Sequence, residues 1–375
     1  MKESIIKIRN NIESFLYKYF AKPIFFLIDP EDIHNIMIIF GRFLGSNLLF
    51  RAIVKFFFGY SNKILEQKIL GVNFENPIGL AAGFDKSAQI IKLMKDTGFG
   101  FTEVGSITGE KCFGNPKPRL WRLKKSKGLV INYGLKNDGA EKIYSRLKNK
   151  KFPLPVFISI AKTNCKATAE MQQGIKDYLK SYKIFENIGD FDVLNISCPN
   201  AFGGEPFTKP ENLKALLAEI KKIRTKKPIL LKMPVDISDE QLDKIIEISR
   251  EYKVDGFICS NLTKKRDNPK IIDKDVPAVG SISGKPIEEF SNHAIEYIYK
   301  KTSTEFLIIG TGGVFSAEDA YKKIKLGASL VQLITGMIFE GPNLISEINQ
   351  GIAELLKKDG YKNIKEAVGK GLRNS

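Results

Sequence analysis

Phe191-Asp192-Val193-Leu194-Asn195-Ile196-Ser197-Cys198-Pro199-Asn200 is a short, mostly apolar run that stops in amides, a hydroxyl and a thiol. Residues 191–196 read as a buried strand, and Pro199-Asn200 supplies the turn signal that ends it. Hydrogen-bonding groups and an acid/base-capable sulfur therefore fall at the carboxyl end of a strand. That is where α/β barrels carry their chemistry. One such ending says little, but the same pattern recurs along the chain.

Seven further apolar runs of similar length, at 78–82, 101–105, 155–160, 228–233, 255–259, 305–310 and 329–334, alternate with helix-periodic stretches such as 87–97, 210–224, 238–252 and 316–326. Eight near-continuous apolar strands, each followed by a helix, predict a closed parallel (β/α)8 barrel of the TIM-barrel type. An open doubly wound sheet would want a glycine fingerprint after its first strand, and Gly79 and Gly83 do not make one.

The first 65 residues differ. Ile5, Ile8, Ile12, Phe15, Leu16 and Tyr19 recur at helical spacing among Lys7, Arg9, Lys18 and Lys22, and Pro23 interrupts the pattern. Asp29-Pro30-Glu31 reads as the start of a second helix, and Phe50 to Phe58 carries a third apolar stretch. No run reaches the ~20 apolar residues of a spanning helix. The pattern suits helices lying in a membrane interface, or a helical cap on the barrel. The expected organisation is a helical segment over 1–65 and a barrel over 66–375.

Composition narrows the chemistry. The 375 residues carry a net charge of +17, yet the basic residues are dispersed and no nucleic-acid signature accompanies them, so nucleic acid is not an expected partner. Two histidines and four cysteines without CxxC spacing argue against a metal site or a disulfide framework. Each strand ends in usable groups. Ala82-Gly83-Phe84-Asp85-Lys86 follows the first, Lys232 closes the fifth, and Ser260-Asn261 follows the sixth. Gly310-Thr311-Gly312-Gly313 and Thr335-Gly336 follow the seventh and eighth, where this fold holds phosphate. A lysine closing an apolar strand needs a partner, because a buried lone ammonium is costly.

The segments 76–86, 114–123, 195–200, 283–286 and 327–332 resemble dihydroorotate dehydrogenases over about residues 27–350. The helical front end, with Leu27 to His34, is similar to the membrane-associated, quinone-reducing class 2 enzymes. The resemblance implies FMN as cofactor, oxidation of dihydroorotate to orotate in pyrimidine biosynthesis, and electrons passed to a membrane quinone. It further implies peripheral attachment through the N-terminal helices, on the cytoplasmic side of the inner membrane in a bacterium. By the same carry-over, Ala82, Gly83, Lys86, Ser106, Ser159, Asn195, Lys232, Ser260, Gly284, Gly313, Ile334 and Thr335 hold FMN. Lys86, Asn132, Tyr133, Gly134, Leu135, Asn195, Asn200 and Asn261 hold substrate, Cys198 is the catalytic base, and His34 and Arg122 border the quinone.

The chain departs from that family in places. Class 2 enzymes carry serine where Cys198 stands, and cysteine is the class 1 residue. Ile131-Asn132-Tyr133-Gly134-Leu135 lacks the family's arginine, or has its asparagine shifted by one. Ser159 replaces a flavin-contacting asparagine, and Ile334 a tyrosine near the quinone. Fumarate or NAD as acceptor, a related dihydropyrimidine as substrate, a flavin-free barrel isomerase or lyase binding a phosphorylated metabolite, and a catalytically inactive membrane scaffold are the competing readings.

Overall fold

The computed structural model describes residues 2–204, 206–223 and 225–372; Arg224, the last position of one expected helix, and the barrel's last residues 373–375 lie outside them. Thirteen strands occur among the described residues: β1 Gln67–Ile69, β2 Val72–Phe74, β3 Ile78–Leu80, β4 Phe101–Ile107, β5 Leu120–Leu123, β6 Gly128–Ile131, β7 Val156–Ile160, β8 Phe191–Asn195, β9 Ile229–Lys232, β10 Gly256–Cys259, β11 Ser281–Gly284, β12 Leu307–Thr311 and β13 Leu330–Leu333. Eight of them close a barrel in the order β3-β4-β7-β8-β9-β10-β12-β13, with β13 returning to β3. All eight pairings are parallel. Their runs are mostly apolar because both faces are covered. All eight strand positions read from sequence are present.

The β1–β2 hairpin lies under the barrel's amino end, where Phe74 sits 5.7, 6.2 and 6.2 Å from Phe101, Phe157 and Phe191. That aromatic plug shuts one end, so the cavity opens at the carboxyl ends alone. The other irregular piece is an antiparallel sheet, β5-β6-β11, in which Ser281–Gly284 pairs with Gly128–Ile131. The helix expected over 87–97 shrinks to Ile91–Met94. Asp85 accepts hydrogen bonds from the backbone N–H groups of Gln89 and Ile90, and Ala88 has φ +54°, so the loop continues to residue 90.

At the front, α1 (Lys2–Leu16) runs through a π-helical turn (Tyr17–Ala21) into α2 (Lys22–Leu27). Pro23 therefore does not end the helical course. It occupies the first turn of α2, where its missing N–H matters little. Asp29 caps α3 (Pro30–Ser46), accepting from the N–H of Glu31 at 2.8 Å and of Asp32 at 3.2 Å. After Asn47, α4 (Leu48–Phe58) turns away by 112°. No single described helix is long and apolar enough to cross a membrane.

The face α1 turns to the barrel is its polar one. Arg9 donates to Ser346 Oγ (2.7 Å) and to the carbonyls of Phe56 and Gly59, Asn10 to Gln350 Oε1 (3.4 Å), and Tyr17 to the Ile338 carbonyl (2.7 Å). Ile5, Ile8, Ile12, Phe15 and Tyr19, all more than half exposed, form the opposite stripe. Of 25 exposed large apolar side chains among the described residues, 19 belong to residues 5–57, so the apolar surface is concentrated on this front end.

Candidate active site

A single cavity of about 520 Å³ starts at the carboxyl ends of the barrel strands and continues between α3 and α4. Of the residues singled out from sequence, all but Ser159 and Asn132 line it. Ser159 stands directly behind, its hydroxyl 2.9 Å from that of Ser106, which in turn accepts from Asn195 Nδ2 at 2.7 Å. Asn132 directly follows β6, its amide oxygen engaged by Asn115 Nδ2 at 3.0 Å. Asn115, which sequence reasoning did not single out, also donates to the Asn200 carbonyl and accepts from Asn164, so it ties three loops together.

The amide cluster is tied together by hydrogen bonds. Asn261 Nδ2 donates to the Ser197 carbonyl (2.8 Å) and lies 3.3 Å from Asn195 Oδ1, while Asn200 Nδ2 donates to the Ile131 carbonyl (2.8 Å). Strand register puts Asn195 of β8 directly beside Lys232 of β9. Lys232 is buried but not alone, because Glu103 on β4 lies 3.1 Å from its ammonium and also accepts from the Ala82 N–H. That pairing answers the sequence puzzle of a lysine closing an apolar strand. Half-buried Cys198 faces the same cavity, and Lys162 on the loop after β7 lies close enough to interact with its charge.

Lys86 lines this cavity and, with His34 and Tyr133, a smaller adjoining one. Burial, reinforced by the neighbouring Lys136, pushes its ammonium down to about 7. It lies 4.1 Å above the Tyr133 ring and 3.3 Å from His34 Nε2. Burial, with Lys86 nearby, pushes His34 down to about 3, so the imidazole is neutral. Its Nε2 is 2.9 Å from the Phe84 carbonyl and must carry the proton there, since a carbonyl only accepts. An anion entering beside Lys86 would supply the negative partner that this lysine lacks among those rings.

Glu31, at the start of α3, fixes the front end to the site. Arg119 grips it with two hydrogen bonds of 2.9 and 2.8 Å, and Lys136 adds a third at 2.9 Å. Burial raises its pKa, but these bonds and their charges outweigh burial and hold it at about 2. Glu31→Ala is expected to destabilise the protein by about 3–5 kcal/mol in urea unfolding, because two cations lose their buried anion. An unfolded glutamate titrates near ~4.3, so this contribution is fully present above that value and fades as pH falls through about 2. Urea midpoints of wild type and variant should converge over that interval.

The glycine wall has steric meaning. A Cβ at Gly313 would strike Glu288 Cβ at 2.4 Å, and one at Gly284 the Lys127 carbonyl at 2.3 Å, both at positive φ. A Cβ at Gly83 would meet only Ile334 Cδ1 at 3.9 Å, so this glycine keeps the cavity floor clear. Ser260 Oγ is buried without a partner, which leaves a polar group aimed at no protein atom.

A parallel barrel that sets a glycine wall and an amide cluster around one long cavity is built for a bulky phosphorylated cofactor beside a small polar substrate, the layout of barrel oxidoreductases. Residues 64–356 match the family model described as dihydroorotate dehydrogenase. Relatives named dihydroorotate dehydrogenase (quinone) include one from Gloeobacter violaceus, 35% identical over 93% of this chain and 97% of its own. Another, from Christiangramia forsetii, is 39% identical over 90% of this chain and 99% of its own. A crystal structure of DHODH from Eimeria tenella in complex with ferulenol superposes with a TM-score of 0.81 at 26% identity, covering 92% of this chain and 96% of that one. The chain belongs to the dihydroorotate dehydrogenase family, and membership implies a flavin. The unpartnered Ser260 hydroxyl, the clear floor at Gly83 and the glycine wall fit such a group.

Proposed function

We propose that this protein oxidises dihydroorotate to orotate in pyrimidine biosynthesis, with FMN as cofactor and a membrane quinone as electron acceptor. One observation carries the reading: the cavity that holds the Asn195–Asn261 amides and Cys198 is continuous with the apolar space between α3 and α4. A soluble acceptor would not need an apolar passage of that kind.

Gly284 and Gly313 of the glycine wall, with Thr335, would receive the FMN phosphate, and Ala82, Gly83, Ser106 and Ser260 would contact the ring, with Ser159 supporting Ser106. Lys232 and Asn195 would border the ring's polar edge. Bound flavin would supply a two-electron acceptor for the hydride leaving substrate C6 and a donor to quinone. Lys86 would bind the substrate carboxylate, whose charge favours the ammonium form. Asn195, Asn200 and Asn261 would bind the amide-like edges of the ring, with Tyr133, Gly134 and Leu135 closing one side and Asn132 acting through Asn115. Cys198 would take the proton from C5, aided by the positive charge of Lys162. His34 and Arg122 would flank the acceptor's path; Arg122 also clamps that path, donating to the Ile28 and Phe25 carbonyls.

Residues 1–65 form the part that meets the membrane and admits quinone, and residues 66–375 the part that does the chemistry. Support comes from the inverted amphipathicity of α1, whose apolar stripe is more than half exposed and lies beside exposed Lys7. The inner-membrane surface is the expected location in a bacterium. Replacing Ile8 and Phe15 by aspartate should release the protein from anionic vesicles in a flotation assay. Stability should hardly change, since both side chains are exposed. Orotate formation from dihydroorotate with a short-chain quinone tests the activity; turnover with NAD or fumarate and none with quinone would overturn the acceptor.

A further inference from the structure

Lys323 is fully buried on the helix Ala317–Lys325, and the proposed chemistry gives it no task. Its ammonium donates to Ser291 Oγ at 3.0 Å and Asn292 Oδ1 at 2.8 Å, both neutral. The acids that feel its charge are occupied elsewhere. Lys285 holds Glu288 at 3.1 Å and Asp319 at 2.8 Å, and Lys270 also reaches Glu288 at 3.5 Å. Among the described residues no carboxylate is ion-paired with Lys323. A buried ammonium without an anion is costly, and burial pushes this one down to about 7.

Its position shows where an anion would complete it. The side chain runs beneath Gly310, where an added Cβ would come within 3.0 Å of Lys323 Cδ. Ser291 Oγ, which receives the Lys323 bond, lies 2.5 Å from the Thr311 carbonyl and 3.0 Å from that of Cys259. The Thr311 carbonyl is thus held on the lysine's side. In a trans peptide the N–H points opposite to the C=O, so the Gly312 N–H is turned to the other side, and Gly312 lines the cavity.

We propose that Lys323 is a positioning residue for cofactor binding, the buried counter-charge of the FMN phosphate, acting from behind the Thr311-Gly312-Gly313 wall. The inference rests on FMN being the cofactor. The low polarity between them lets the two charges feel one another without contact. Ser291 transmits the lysine's hold to the wall. Lys323 therefore selects for a phosphorylated flavin rather than for the ring.

The test is an exchange experiment on the full-length flavoprotein, with FMN and riboflavin competing for the site and free flavin read by fluorescence. Wild type should prefer FMN, and Lys323→Met should lower the FMN-to-riboflavin preference about tenfold, with riboflavin affinity unchanged. Ser291→Ala should shift it in the same direction. An unchanged preference, or equal loss of both flavins, would overturn the proposal, since a purely structural lysine would weaken both. Should Lys323→Met not fold, calorimetry on wild type in two buffers decides. At about pH 8, where a phosphate monoester is already a dianion, FMN binding should draw in protons and riboflavin binding should not. Equal proton uptake for the two flavins would overturn it. A wild type that binds both flavins equally would instead refute the FMN reading itself.

Discussion

Replacing Cys198 by alanine should slow reduction of the bound flavin by dihydroorotate about 10²–10⁴-fold, the usual worth of a general base, while orotate still binds through the asparagines and Lys86. Stopped-flow absorbance and orotate titration separate the two effects; reduction at the wild-type rate would remove Cys198 from the mechanism. Serine at the same position should retain part of the activity. A thiol titrates near ~8.5 and a serine hydroxyl far higher, so the wild-type rate should rise to its plateau at lower pH than Cys198→Ser. The thiol should also be open to iodoacetamide unless orotate covers it. Cys112 and Cys259 are buried, which leaves Cys165 as the only other accessible cysteine. Alkylation confined to Cys165, with activity intact and identical pH profiles, would contradict this role.

Removing residues 1–60 should abolish quinone reduction yet leave reduction of the flavin by dihydroorotate within a few-fold of wild type. The cavity floor belongs to the barrel and its upper walls to α3 and α4. The cut also removes Glu31, but Arg119 and Lys136 would then face water and be hydrated rather than stranded. Arg122→Ala is the milder form of the same experiment. It loosens the Phe25–Ile28 turn and should depress reoxidation by quinone more than reduction by dihydroorotate. Equal losses in both half-reactions would show that the front end supports the barrel rather than the acceptor.

The barrel was legible because its strands are buried on both faces, and a run such as Phe191–Asn195 announces itself without a partner. The β5-β6-β11 sheet was not. Its strands have four residues each, and Ser281–Gly284 finds its partner some 150 positions upstream, beyond any local pattern. The helical spacing of Ile5, Ile8 and Ile12 gave the stripe on α1 but not its direction, which depends on Arg9 and Asn10 meeting Ser346 and Gln350. In the site, groups at strand ends were readable because the fold rule locates them. Glu103 as the partner of Lys232, Asn115 between three loops and Glu31 under Arg119 were not, because each acquires meaning only from a residue far along the chain. Asp85 and Ala88 shortened a helix that periodicity alone had extended.

In the proposed function one cavity links dihydroorotate oxidation to quinone reduction. The most direct measurement mixes the purified protein anaerobically with dihydroorotate, follows bleaching of the flavin, and then adds quinone, NAD or fumarate separately. Full bleaching within the time of turnover and rapid return of colour with quinone alone are expected. A flavin that dihydroorotate does not bleach, or one that NAD or fumarate reoxidises while quinone does not, would contradict it.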